Sequence, residues 1–130
     1  MRKFIFIILL LTVFKSYSQN DTVRYTDYQY ISIIKIICNT QDFYGEKVMI
    51  EGYLVLEFEG SAVYLNEVDY KHSRTKNAIS IDFKKNISNE QLDYFNTFNE
   101  KNVSIIGTIK KGYDNLFSGR IVVDDIRIIE

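Results

Sequence analysis

The sequence predicts a mainly β domain with some helix: a small five-stranded barrel with an N-terminal helix and a short helix before strand 4. Two observations lead to this fold class. Apolar and polar residues alternate in five separate stretches after residue 45, which is the pattern of half-buried strands. Glycines stand in the middle of two of these stretches, at Gly52 and Gly107, where a strand of a small barrel can bend sharply. Five strands in a closed barrel with an added helix are typical of the OB-fold.

The first predicted element is a helix over residues 27–39. Thr26 can serve as its N-cap and Gln29 stands at the third helical position, which is the arrangement of a capping box. The β-branched isoleucines of this segment also suit a strand, but its length and its cap favour a helix. The residues at helical spacing that we expect to form one apolar face are Tyr30, Ile33, Ile34, Ile37 and Cys38.

The five predicted strands cover residues 46–58, 62–66, 78–83, 101–110 and 119–129. In the first strand, the even-numbered residues from Val48 to Phe58 form the face that we expect to be buried. A tight turn at residues 59–61 leads into the second strand. The connection between the second and third strands, residues 67–77, is polar and is expected to be a loop.

Two further features lie in the second half of the chain. Residues 91–98 are expected to form a short helix whose apolar side comprises Leu92, Phe95 and Phe98. In the last strand, the pair Asp124 and Asp125 interrupts the alternation of apolar residues, as a β-bulge does. The loop between the last two strands, residues 112–118, is rich in turn-forming residues.

The N-terminal residues 1–18 have the organisation of a cleavable signal peptide. Arg2 and Lys3 precede an apolar run, and the small residues Ser16 and Ser18 stand at the positions that a signal peptidase reads. The alternative is an uncleaved membrane anchor, but the apolar run is shorter than the roughly 20 residues that span a membrane and Lys15 ends it. Cleavage is therefore favoured, and no membrane span is expected after it. The sequence therefore predicts an exported protein that acts in the periplasm or outside the cell.

Three segments follow from this interpretation. They are a signal peptide over residues 1–18, a flexible leader over residues 19–26 and one OB-like barrel domain over residues 27–130.

The net charge and the single cysteine exclude one class of partner and one kind of crosslink. Cleavage removes Arg2, Lys3 and Lys15, and the net charge changes from −1 to −4. An acidic domain is repelled by the phosphate backbone, so nucleic acid is not an expected partner. Cys38 is the only cysteine, so no disulfide can form within the chain, and its isoleucine neighbours predict a buried thiol.

Four runs of residues resemble an uncharacterised family of small exported bacterial proteins. They are YGEKVMIEGYLVLEFEG (residues 44–60), AVYL (62–65), KNAI (76–79) and LFSG (116–119). The resemblance covers most of residues 28–130 and implies an OB-fold-like domain without assigning any catalytic residue. This chain departs from the family in being rich in Ile, Asn and Tyr and in lacking Pro and Trp.

Catalytic chemistry finds little support in the sequence. His72 is the only histidine and stands in a charged segment that we expect to be an exposed loop. A zinc site needs several His or Cys ligands, and neither a Walker nor a dinucleotide-binding glycine pattern is present, so no metal or cofactor is expected. The carboxylate pairs Glu57 with Glu59 and Asp124 with Asp125 are the alternative, as acid/base groups or cation ligands of a small hydrolase.

A binding module for a small molecule, a glycan or a protein is the preferred function. OB-type barrels bind ligands on the face of strands 2 and 3 and on the adjoining loops. Aromatic side chains beside Lys, Arg and Asn suit stacking combined with hydrogen bonding. The residues that this reasoning selects as a ligand surface are Tyr64, Asn66, Tyr70, Lys71, Arg74, Lys76 and Asn77.

Overall fold

The computed structural model describes residues 23–129. The predicted signal peptide and the first part of the predicted leader lie outside the described residues. The described part of the leader leads into a 3-10 turn at Tyr25–Asp27. No helix in residues 23–129 is long and apolar enough to cross a membrane.

One sheet contains every strand of the described residues: β1 (Gln29–Tyr30), β2 (Lys47–Val55), β3 (Ala62–Tyr64), β4 (Ala78–Phe83), β5 (Lys101–Lys110) and β6 (Arg120–Ile128). The strand order is β1-β2-β3-β4-β6-β5, and β2 also pairs with β5, so that β2 to β6 close into a barrel. The predicted fold class, a mainly β five-stranded barrel with some helix, is therefore confirmed.

The order of strands around the barrel identifies its topology. Around the barrel the strands follow the order β2, β3, β4, β6, β5 and back to β2, so β5 and β6 are reversed relative to their order in the sequence. The pair β4–β6 is parallel and the other four pairs of the barrel are antiparallel. A five-stranded Greek-key barrel of this kind is OB-like.

The N-terminal helix is shorter than the predicted span of residues 27–39. It comprises Ile33–Cys38, here called α1, and β1 precedes it and pairs in parallel with the start of β2. The Ile31 N–H donates to the Met49 carbonyl oxygen at 3.0 Å. Residues 29 and 30 pair with β2 as a strand instead of starting a helix, so the prediction of a helix from residue 27 is wrong.

The predicted apolar face of this segment is also wrong in part. The side chains of Ile33 and Ile36 are buried, whereas those of Tyr30, Ile34 and Cys38 are exposed. A helix of six residues presents only one stripe to the barrel, at spacing i and i+3. Cys38 lies outside that stripe, and the prediction of a buried thiol therefore fails.

A second helix, α2 (Glu67–Lys71), lies in the connection between β3 and β4. The predicted loop over residues 67–77 therefore contains helical structure, and a 3-10 turn at Thr75–Asn77 follows it. The Asn66 side chain caps α2 by accepting a hydrogen bond from the Asp69 N–H at 2.8 Å. Helices this short have no periodicity that a sequence pattern can reveal.

The third helix, α3 (Asn89–Asn96), lies between β4 and β5 and confirms the helix predicted over residues 91–98. It begins two residues earlier than predicted because the Ser88 side chain caps it. Phe95 is buried as expected, and its ring stacks on that of Phe83 with the centroids 5.7 Å apart. Through this contact α3 packs into the barrel core.

The barrel interior is a single apolar cluster. The predicted inward face of the first strand is confirmed from Val48 to Leu54, but Phe58 lies beyond the end of β2 and is fully exposed. The inward-facing side chains of the five barrel strands include Val48, Ile50, Leu54, Val63, Ile79, Val103, Ile105, Ile109, Ile121, Val123 and Ile126.

The mid-strand glycines lie where a neighbouring strand leaves no room for a side chain, and the predicted bulge lies opposite Gly107. A Cβ atom on Gly52 would be 2.5 Å from the Tyr64 carbonyl oxygen, and one on Gly107 would be 2.3 Å from the Val122 carbonyl oxygen. Just before Gly107 the register of β5 with β6 shifts, which leaves Asp124 as the extra residue of a bulge. These positions require glycine because backbone fills the space of a side chain.

Outside the barrel, a second and smaller apolar cluster covers the outer face of β2, β3 and β4. Its buried members are Tyr53, Val55, Ala62, Tyr64 and Ala78, and Tyr70 and Phe117 pack on them. The outer surface on which OB-type barrels bind ligands is therefore partly covered by α2 and by the β5–β6 loop.

Candidate functional site

A groove of about 460 Å³ lies beside this outer cluster. It is lined by residues 59–61 of the β2–β3 connection, by residues 80–82 of β4, and by the β5–β6 loop with the first residue of β6. The groove thus lies between the two loops and along the sheet face that carry ligand sites in OB-folds.

A polar network of three side chains forms one part of the groove. The Arg120 Nη1 atom donates to Asp82 Oδ2 at 2.7 Å and to the Tyr113 hydroxyl at 3.0 Å. The Tyr113 hydroxyl in turn donates to Asp82 Oδ2 at 3.0 Å. The Arg120 Nε–H donates to the carbonyl oxygen of Lys111, which ties the same guanidinium to the loop backbone. Each charge in this network therefore has a partner.

Tyr113 is held in place although most of its surface faces solvent. The Arg120 guanidinium lies over the Tyr113 ring, 4.2 Å from the centroid, and the side chain of Tyr113 is 81% exposed. An aromatic ring that is fixed on one side and open on the other offers a stacking surface at a small entropic cost.

The remaining lining of the groove is acidic and apolar. Glu59, Asp82 and Asp114 are acidic and Arg120 is the only cation in the lining, so the lining carries a net charge of −2. Asp114 Oδ1 accepts a hydrogen bond from the Leu116 N–H at 2.8 Å, which shapes the loop and leaves the Leu116 side chain exposed. A ligand here meets carboxylates next to exposed apolar groups.

The ligand surface predicted from the sequence lies elsewhere, because none of its seven residues lines this groove. Tyr64 is buried, and its ring centroid lies 5.4 Å from that of Tyr70. Burial raises the pKa of the Tyr64 hydroxyl. The hydroxyl of Tyr70 donates to Glu57 Oε1 at 3.1 Å, and this hydrogen bond raises the pKa of Tyr70. Both tyrosines thus help to hold α2 on the barrel.

Three more of the predicted residues form hydrogen bonds with Asp69, whose side chain is buried. Asn66 caps the N–H of Asp69, Arg74 Nη1 donates to Asp69 Oδ1 at 3.1 Å, and Asn77 Nδ2 donates to Asp69 Oδ2 at 3.1 Å. The structure therefore brings these side chains together around an internal group that fixes the β3–β4 connection.

The two predicted lysines are also engaged. Lys71 forms an exposed ion pair with Glu67 at 2.8 Å, and the hydrogen bond to Glu67 raises the pKa of Lys71. Lys76 donates to the Asn115 carbonyl oxygen in the β5–β6 loop. Ligand binding by these seven residues stays a prediction.

The carboxylates proposed for a hydrolase do not converge on one cavity. Asp124 accepts a hydrogen bond from the Tyr28 hydroxyl at 2.6 Å and pairs with Lys84, and Asp125 accepts from the Tyr25 hydroxyl. Burial and the hydrogen bond to Asp124 raise the pKa of Tyr28. The bulge carboxylates thus bind the N-terminal segment to the barrel.

The other candidate catalytic groups lie apart as well. Glu57 accepts from Tyr70, whereas Glu59 lines the groove. His72 is exposed at the end of α2, with Nδ1 2.9 Å from the Val68 carbonyl oxygen. Within residues 23–129, no group of three or more His, Cys, Asp or Glu side chains is placed to hold a metal ion.

Sequence reasoning missed Asp82, Tyr113 and Arg120. The turn-rich loop of residues 112–118 was recognised, and in OB-folds the corresponding loop takes part in binding. That rule, applied to the exposed aromatic residue of the loop, could have selected Tyr113. The contact between Asp82 and Arg120 depends on the parallel register of β4 and β6, which no local pattern encodes.

No protein-family model matches the chain, and no curated protein matches its sequence. Among solved structures, two OBody proteins bound to hen egg-white lysozyme are similar to it. The first is 18% identical, with 68% of this chain and 83% of that chain covered and a TM-score of 0.46. The second is 17% identical, with 68% and 85% covered and a TM-score of 0.44.

A protein assigned as an aspartyl-tRNA synthetase from Leishmania major Friedlin is also similar, with 12% identity and a TM-score of 0.49. The similarity covers 92% of this chain but only 25% of that protein. Lysozyme binding and tRNA synthetase activity are properties of those proteins. The fold of this chain is assigned from its own strand order.

Proposed function

We propose that the protein is an exported binding module whose ligand site is the groove between the β2–β3 connection and the β5–β6 loop. The location of the groove supports this proposal, because OB-folds use these two loops and the adjoining sheet face for binding. Peptides, glycans and small molecules are the expected ligands, because sites for them combine an apolar surface with a few polar groups in fixed positions.

The observation that carries the proposal is the fixed and exposed ring of Tyr113. Asp82 and Arg120 hold its hydroxyl, and Arg120 covers one face of the ring. A structural role in the core does not explain this arrangement, because the ring is mostly exposed. A preformed aromatic surface lowers the entropy that a binding site loses when a ligand arrives.

The exported location belongs to the same proposal. It is supported by the signal-peptide pattern of residues 1–18 and by the resemblance to a family of small exported bacterial proteins. In such a location the protein would act in the periplasm or outside the cell.

A thermal-shift screen against peptides, glycans, cations and anionic metabolites tests the proposal. A ligand at 100 times its Kd stabilises the folded protein by about 2.7 kcal/mol, which raises the Tm of a domain of this size by roughly 10 °C. We expect Tyr113→Ala to abolish the shift produced by the best ligand. Tyr94→Ala, which removes an exposed tyrosine from α3, is the matched control and should leave the shift intact.

The effects of two variants on the thermal shift distinguish the groove from the surface predicted from the sequence. If Lys71→Ala reduces the shift and Tyr113→Ala does not, the ligand binds the surface predicted from the sequence rather than the groove. If no compound of the screen shifts the Tm, the proposal of a binding module is wrong for these ligand classes.

A further inference from the structure

One edge of the barrel is open at the groove. β3 pairs with β4 only through Ala78, Ile79 and Ser80, while β4 continues to Phe83. The last backbone bond on this side joins the Ile81 N–H to the Ser61 carbonyl oxygen at 2.9 Å. Within residues 23–129, no strand lies beside residues 81–83 on this side, although β6 pairs with them on the other.

This open edge borders the groove. Ile81 and Asp82 belong to the lining, together with Ser61 at the point where β3 begins. An unpaired strand edge presents N–H and C=O groups at the spacing that an extended peptide matches. A peptide bound there would lie beside residues 81–83, just before the start of β3, and would extend the sheet by the mode of recognition called β-strand addition.

The side chains around the edge indicate the chemistry of such a peptide. The acidic residues Glu59 and Asp114 stand in the same groove as the exposed Leu116, and the lining has a net charge of −2. Side chains of an extended peptide alternate between two directions. Cationic side chains on one face and apolar side chains on the other would therefore complement the groove.

We propose that the groove binds an extended segment of another polypeptide, with alternating cationic and apolar residues, as an added strand on the open edge of β4. This inference rests on the proposed function and deepens it by naming the partner class. Peptides are favoured over glycans because the groove combines an open backbone edge, a net negative charge and the exposed aliphatic side chain of Leu116.

Fluorescence anisotropy with labelled nine-residue peptides tests the inference on the purified protein. We expect a peptide of alternating Val and Lys to bind and one of alternating Val and Glu to bind at least tenfold more weakly. The affinity of the Lys peptide should fall when the ionic strength rises from 0.02 to about 0.5 M, because salt screens the exposed charges.

Backbone methylation of the Lys peptide separates strand addition from simple charge attraction. In an added strand, alternate peptide N–H groups point to the host edge. Methylation of that set should weaken binding about tenfold, since roughly two hydrogen bonds are lost, and methylation of the other set should change it less than twofold. Equal effects of the two methylation patterns would overturn the inference.

A pair of protein variants tests the role of the acidic lining. Glu59→Gln with Asp114→Asn keeps the shape of the groove but removes two charges, and we expect about a tenfold loss of affinity for the Lys peptide. Glu90→Gln with Asp93→Asn removes the same charge from exposed positions on α3, and it should change the affinity less than twofold. Equal losses in both variants would show a non-specific charge effect and contradict the inference.

The failure of this inference can be told apart from the failure of the proposed function. If the Lys peptide does not bind but a glycan or another ligand shifts the Tm in a manner that depends on Tyr113, the groove is a binding site and the partner class is wrong. If neither is found, both proposals fail.

Discussion

The substitution Gly107→Ala tests whether the barrel closes as described. An added Cβ would lie 2.3 Å from the Val122 carbonyl oxygen and 2.9 Å from Ile121 Cγ1, well inside van der Waals contact. The nearest atom belongs to the backbone of β6, so a side-chain rotation cannot relieve the clash. Overpacking at such a site costs about 3 kcal/mol, and the lower entropy of the unfolded chain with Ala returns about 0.7 kcal/mol.

The expected net loss is about 2 kcal/mol, which corresponds to a decrease in Tm of roughly 10 °C. Urea unfolding followed by circular dichroism measures this loss, and an unchanged m-value shows that the unfolded state is the same. Thr108→Ala, one position further along the same strand, is the control and should cost less than about 1 kcal/mol. A loss below about 0.5 kcal/mol in Gly107→Ala would refute the close approach of β5 and β6 at this point.

Three further predictions concern the elements around the barrel. Phe95→Ala should lower the free energy of unfolding by about 3–5 kcal/mol in urea titrations, because the ring is buried in the core, and a loss near 1 kcal/mol would contradict that packing. Ser88→Ala should cost about 1 kcal/mol through loss of the cap on the Gln91 N–H, and an unchanged unfolding midpoint would show that the cap contributes nothing. The pKa of Tyr28 is raised in the folded state by burial and by the hydrogen bond to Asp124, so the contribution of Tyr28 to stability is complete below about pH 10 and is lost as the pH rises through its folded pKa. Tyr28→Phe should therefore flatten the decrease in the free energy of unfolding above about pH 10, and identical plots of that free energy against pH for both proteins would be the contrary result.

The fold was largely predictable because its strongest signals are local. The third and fourth predicted strands, residues 78–83 and 101–110, agree with β4 and β5 at both ends. Alternation with period two depends only on which face of a strand is buried, and both strands have a long inward face. The position of Gly107 in the middle of such a strand indicated a small closed barrel, whereas its close approach to Val122 depends on the pairing with β6.

The N-terminal helix was mispredicted because the deciding contact is tertiary. The isoleucine-rich segment suits a helix or a strand, and the edge of β2 takes up residues 29 and 30 as a strand. The same limit applies to Cys38, whose exposure depends on where the helix begins.

The candidate site was less predictable than the fold. Most of the seven residues selected from the sequence fix α2 and the β3–β4 connection. The three residues of the groove network come from β4, the β5–β6 loop and β6, and Asp82 and Arg120 meet only because β4 and β6 are parallel neighbours. Such long-range register lies outside any window of local pattern.

An NMR titration of the labelled protein with the tightest ligand of the screen would locate the ligand site residue by residue. We expect the largest backbone amide shifts in residues 59–61, 80–83 and 112–120, which surround the groove. They should be lost in Tyr113→Ala and kept in Tyr94→Ala. Shifts confined to residues 64–77, or unchanged by Tyr113→Ala, would contradict the assignment of the groove as the ligand site.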